Sequence, residues 1–285
     1  MNGEIPSNGE STLRRLGLFG LFLLCGLVIS LFPQLLQNET AALIAQAGIT
    51  AGFLLIALWL RRKRTSQFFQ VAFAFFTMST CWLLLYALQF SGLFDLSTVT
   101  GYFVFQMVNA SVIVVSVVLL TRISGTNLGE IYVKKGRLRI GLLVSSTIFV
   151  FFAIFIAMFP TGLAILFPVG GNMTSERVLS LMPWLIVFVL SNGFREEFWF
   201  RAIFLKRFEP FTGAGLSNVV TSLVFALSHV GVNYTPVLLV FLGIVLLLGL
   251  AFGSMMQKTD SVIAPAIFHA AMDIPAVLAI FSFLQ

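Results

Sequence analysis

The chain has 285 residues, of which 59% are apolar and only 10% charged. Soluble domains are about half apolar and a quarter charged, so this composition excludes an ordinary soluble domain and points to a polytopic membrane protein. The formal net charge of +6 does not call for a nucleic-acid partner, because the basic residues gather in short loops, where membrane topology accounts for them.

Residues 1–13 are polar and predict a disordered cytoplasmic tail. Arg14 and Arg15 open a long apolar run with no small-residue cleavage site, so the run reads as an uncleaved first helix. A span takes about 20 apolar residues, and runs of that kind cover 16–36, 41–60, 68–88, 101–121 and 138–159. These make residues 14–160 a block of N-terminal transmembrane helices. An outer loop over 161–177 follows. Further runs cover 178–205, 216–232, 237–256 and 262–283, all within a C-terminal core over 178–285. The expected fold is therefore an all-α transmembrane bundle of eight to nine spans. Runs this continuous do not suit barrel strands, which alternate over about ten residues.

The loops set the orientation. Arg14, Arg15, Arg61, Arg62, Lys63 and Arg64 fall on one side, with Arg122, Lys134, Lys135, Arg137, Arg139, Lys206, Arg207 and Lys258. That bias predicts a cytoplasmic N-terminus. Asn38-Glu39-Thr40 and Asn172-Met173-Thr174 match glycosylation acceptors, which matter only in a eukaryotic source. Cys25 and Cys81 lie inside spans without metal-knuckle or disulfide spacing and read as small core residues.

Of eleven carboxylates, only Glu196, Glu197 and Asp273 fall inside spans, and so do both histidines, His229 and His269. Charge at membrane depth costs a few kcal/mol per residue, so such groups must face protein or water and have partners. At 1.5 Å per residue, Glu196, His269 and His229 lie roughly 13, 10 and 20 Å from the cytoplasmic side, close enough to meet at one level. His269 and Asp273 are four residues apart and share a helix face, as do Glu197 and Arg201. Glu196 and Glu197 are adjacent, so one can face a water while the other faces a different partner. A poised glutamate with two histidines is a hydrolytic set.

Three motifs carry a resemblance. Glu196 and Glu197 are followed by Arg201, Phe225 is followed by His229, and His269 is followed by Asp273. Together, over about residues 183–276, they resemble the CPBP family of intramembrane proteases, which includes the type II CAAX prenyl endopeptidases. The resemblance implies a proteolytic site in which Glu196 activates water. It implies that His229 and His269 bind a metal or stabilise the oxyanion, that Asp273 completes that shell, and that Glu197 and Arg201 hold the site and the substrate. The implied metal set is Glu196, His229, His269 and Asp273, with zinc the expected ion. The implied partners are membrane-embedded or membrane-anchored peptide substrates and the lipid bilayer. Asp273 stands where the prenyl proteases carry Asn, which resembles the bacterial branch and implies a bacterial cytoplasmic membrane. Arg195 lies outside the motif and reads as a snorkelling or ion-pair residue. Two other readings compete: a proton-coupled transporter, and a non-catalytic peptide-binding or bacteriocin-immunity protein.

Overall fold

The computed structural model describes residues 8–36, 38–63, 66–171 and 173–284. Residues 1–7 of the expected tail, Arg64 of the basic loop and Asn172 of the second glycosylation match lie outside the described residues.

Among the described residues there are ten α-helices and no strand. The N-terminal helices are α1 (Asn8–Ser30), α2 (Glu39–Arg62), α3 (Ser66–Gln89), α4 (Val99–Ile123) and α5 (Leu138–Met158). The C-terminal set is α6 (Ser175–Glu196), α7 (Leu205–Thr212), α8 (Ala214–Ser228), α9 (Leu238–Thr259) and α10 (Ile263–Phe283). Polar caps start several of them: Asn38 accepts from Ala41 N at 2.9 Å, and Thr98 from Gly101 N at 3.0 Å. The first glycosylation match thus lends its asparagine oxygen to a helix cap.

Three boundaries differ from the expectation. α1 begins at Asn8, so residues 8–13 are helical rather than part of a disordered tail. Extending an existing helix backwards needs no new nucleus, and polar residues tolerate it. Next, among the described residues eight helical segments are long and apolar enough to cross a membrane, which falls within the expected eight to nine but is one fewer than the nine apolar runs. The difference is the 216–232 run, where α8 has only 15 residues. That is about 22 Å of helix, short of a hydrocarbon core of about 30 Å. α8 stops because Gly231 and Pro236 flank a β-branched, turn-forming stretch, although the hydropathy continues. Finally, the 178–205 run is not one helix. α6 ends at Glu196, and Glu197–Ala202 form a π-helical turn before α7.

α3 and α10 are the central helices: 61% of their spanning windows is buried, against 17% for α1 and α5 at the periphery. α2 lies along α3, and Gln46 donates to Ser79 Oγ at 2.8 Å while the Thr50 and Ser79 hydroxyls bond at 2.8 Å. Such interhelical bonds contribute about 0.6–2 kcal/mol each in membrane proteins. α10 packs on α5 and α6, and α8 on α9, α7 and α1. Where α6 meets α10, a Cβ on Gly193 would collide with the backbone of Ala266 and Ala270, so only glycine permits this approach. That approach brings Glu196 and Glu197 to the level of His269.

The basic helix ends gather at one pole. Arg137 N donates to Thr259 O at 2.6 Å, Val262 N to Tyr132 O at 3.1 Å, and Lys206 Nζ to Gly129 O at 2.9 Å.

Candidate active site

The last turn of α6 and the π-helical turn after it place the two glutamates. π-Helical turns are rare and occur often at functional sites. Glu197 is fully buried, and its Oε1 accepts from Arg201 Nη1 at 2.7 Å, four residues on. Arg201 is equally buried, donates from Nε to Gly249 O of α9 at 3.3 Å, and holds its guanidinium 4.1 Å from the Phe225 ring centre. Ion pairing, a backbone acceptor and an aromatic face compensate a cation that would otherwise be costly to bury.

His269 of α10 sits between the glutamates. Its Nδ1 lies 2.8 Å from Glu197 Oε1, and its Nε2 lies 3.4 Å from Glu196 Oε2 and 3.6 Å from Asp273 Oδ1. Phe252 of α9 stacks on the ring at 4.6 Å and 15°. His229 ends α8 as its C-cap residue. Its Nδ1 lies 2.8 Å from Phe225 O, which leaves Nε2 4.0 Å from Glu196 Oε2. A carbonyl only accepts, so the Nδ1–H of His229 donates and its Nε2 is turned toward Glu196. Asp273 is anchored through Oδ2, which accepts from Asn192 Nδ2 at 2.8 Å.

All six side chains singled out in the sequence, Glu196, Glu197, Arg201, His229, His269 and Asp273, therefore meet in one cluster. The sequence reading missed Gln106, Gly249 and Phe252. Arg195, expected to be a snorkelling or ion-pair residue, makes the ion pair: its Nη2 donates to Glu196 Oε1 at 2.6 Å, and its Nη1 donates to Gln106 Oε1 of α4 at 2.8 Å. The N-terminal helices thus reach the site through Gln106. The one available signal was that an arginine inside an apolar run needs a partner. Gly249 and Phe252 gave no signal, since glycine and phenylalanine abound in every span.

Beside the cluster lies a cavity of about 420 Å³, lined by His229, His269 and Asp273 on one side and by phenylalanines such as Phe151, Phe155 and Phe241 on the other. It lies between α5 and α9. Among the described residues no group of three or more His, Cys, Asp or Glu side chains is placed to hold a metal ion. The donors nonetheless fit a divalent cation in kind: each imidazole has its Nδ1 engaged by Glu197 or Phe225 O, as the second sphere of metal-binding histidines requires.

No curated protein and no solved structure matches the chain. The family model described as Type II CAAX prenyl endopeptidase Rce1-like matches residues 178–275. That segment runs from α6 into α10 and contains all six clustered side chains, so the C-terminal part of this chain is similar to the Rce1-like type II CAAX prenyl endopeptidases, in agreement with the CPBP resemblance of its motifs.

Proposed function

We propose that the chain is an intramembrane endopeptidase that hydrolyses peptide bonds of membrane-embedded or membrane-anchored substrates, with Glu196 as general base. The observation that carries this reading is the convergence of both imidazole Nε2 atoms on Glu196 Oε2, at 3.4 and 4.0 Å. The longer separation exceeds a direct hydrogen bond and suits a bridging water.

In this reading Glu196 takes a proton from that water, and the water oxygen bonds to the scissile carbonyl carbon. His269, flanked by carboxylate oxygens at both nitrogens, fits the doubly protonated ring and donates from Nε2 to the oxyanion. When the tetrahedral species collapses, the carbon–nitrogen bond breaks and the leaving nitrogen takes the proton held by Glu196. His229, with its Nδ1–H on Phe225 O, presents the Nε2 lone pair and orients the water. Glu197 and Arg201 hold the His269 ring, and Asn192 holds Asp273. A general base contributes about 10²–10⁴ in rate, and an oxyanion donor about 10²–10³. The phenylalanine wall of the cavity suits an apolar side chain or lipid chain beside the scissile bond.

With the Nε2 proton of His269 lost, Glu196, His229, His269 and Asp273 are the residues that would hold a divalent cation, and such an ion would supply Lewis-acid polarisation of the carbonyl. The proton path described needs no such ion.

The test uses the purified chain in lipid nanodiscs with a library of membrane-helix peptides, read by mass spectrometry of new termini. The wild type cleaves, and His229→Ala and His269→Ala each lose cleavage at unchanged melting temperature. Variants that cleave like the wild type, or a wild type that yields no new termini, would overturn the reading. Ion flux carried by such an inactive wild type would favour the transporter.

A further inference from the structure

A second cavity, of about 360 Å³, lies at the basic pole, remote in character from the phenylalanine-walled one. It is bounded by the start of α3, the turn after α4, and α7. Its lining includes Gln67, Gln70, Asn127, Glu130, Lys206 and Arg207.

Arg207 is the unusual member. It is nine-tenths buried, yet among the described residues no carboxylate lies within ion-pair distance of it. Its Nη1 donates to Ile203 O at 2.6 Å, while its Nε is buried and has no hydrogen-bond partner. Glu130 bears on it only through longer-range charge. The neighbouring Lys206 is already committed to Asp260 at 2.8 Å and to Gly129 O at 2.9 Å. Arg207 is therefore the cation in the lining that has no carboxylate partner among the described residues and a buried Nε left unbonded. A guanidinium buried without a counterion is costly. Its planar donors match phosphate oxygens, and the amide-bearing Gln67 and Asn127 also line the cavity. Arg61, Arg62 and Arg122 on neighbouring helix ends make the pole attractive to anions.

We propose that this cavity binds a phosphate oxyanion, held by Arg207, either as the headgroup of a phospholipid or as free phosphate. Because the cavity opens at the end of the bundle, where lipid headgroups lie, the headgroup is the expected source. This proposal does not depend on the chemistry assigned to Glu196.

Two arms test it on the full-length chain. In the first, the protein is taken from nanodiscs of phosphatidylcholine with or without phosphatidylglycerol, and retained lipid is counted by native mass spectrometry. In the second, inorganic phosphate is titrated in detergent and the melting temperature followed. Glu130→Gln removes a negative charge from the lining and should raise retention or phosphate affinity severalfold, whereas Arg207→Gln should lower it at least tenfold. Opposite signs in these two variants are not expected of residues that merely support the fold. Retention of phosphatidylglycerol with those signs assigns the site to a lipid headgroup, and a response confined to inorganic phosphate assigns it to the free ion. If Arg207→Gln fails to fold, Glu130→Gln decides alone. Equal retention and equal phosphate response in wild type and Glu130→Gln would overturn the proposal.

Discussion

His269 is the side chain on which the cluster turns, since each of its ring nitrogens meets a different glutamate. Glu197 serves it from the Nδ1 side while neutralising Arg201. Changing Glu197 to Gln leaves a buried guanidinium without its counterion, and breaking a buried pair in this way costs about 3–5 kcal/mol. Thermal unfolding in detergent should therefore show a clear fall for Glu197→Gln. Adding Arg201→Met should recover part of it, because a paired removal leaves no stranded charge. A double variant as unstable as the single one would show that the pair is not what holds this region. At this scale the sequence was informative because charge inside apolar runs is rare and must be paired, so the six clustered residues stood out. Gln106 did not, since an amide in α4 is an ordinary helix residue until the fold brings Arg195 to it. The metal expected at Glu196, His229, His269 and Asp273 is open to a direct check. With Glu196 moving the proton and His269 donating to the oxyanion, a chelator should leave cleavage within about twofold. A loss reversed by zinc would place a cation in the reaction.

At the scale of the element, the π-helical turn and the short α8 do most to shape the site, and neither could be read from hydropathy. Apolar composition runs on through residues 197–205 and 229–232, whereas the hydrogen-bond pattern changes. α9 contributes by close approach. A Cβ at Gly249 would stand 3.0 Å from Arg201 Nη2, so Gly249→Ala should shift the guanidinium and with it Glu197. Cleavage should fall at least tenfold with a smaller effect on substrate binding, measured as kcat against KM. An unchanged kcat would separate Gly249 from the site. The end of α9 gives a pH prediction. Asp260 adopts φ 53°, a left-handed conformation that Asp tolerates, and its carboxylate pairs with Lys134 and Lys206. Burial alone would raise its pKa, but hydrogen bonds and charge from the two lysines outweigh that and hold the carboxyl below its usual value. A carboxylate depressed in the folded state adds stability above its unfolded pKa, about 3.9, and loses it as pH falls through the folded value. The melting temperature should drop below about pH 4 in the wild type, and that drop should shrink in Asp260→Asn. An identical pH profile in the two would contradict it. The side chain is 40% exposed, so solvent screening keeps the effect small.

At the scale of the whole molecule, α3 and α10 form the interior, and the phenylalanine-lined cavity lies between the peripheral α5 and α9. The helical class and the approximate placement of the spans were legible, because bilayer thickness fixes how long an apolar run must be. The pairing of helices was not, since it rests on small residues such as Gly193 and on polar ladders such as Gln46 with Ser79. If substrate reaches His229 and His269 through that cavity, Leu248→Trp, on its α9 wall, should raise KM several-fold without lowering the melting temperature. The account as a whole rests on the carboxylate of Glu196 removing a proton from water, and the most direct measurement is single-turnover cleavage by purified wild type and Glu196→Gln in nanodiscs, with melting temperature recorded for both. A fall of at least a hundredfold in Glu196→Gln, at equal melting temperature and equal peptide binding, is the predicted result; cleavage within about twofold of the wild type would contradict it.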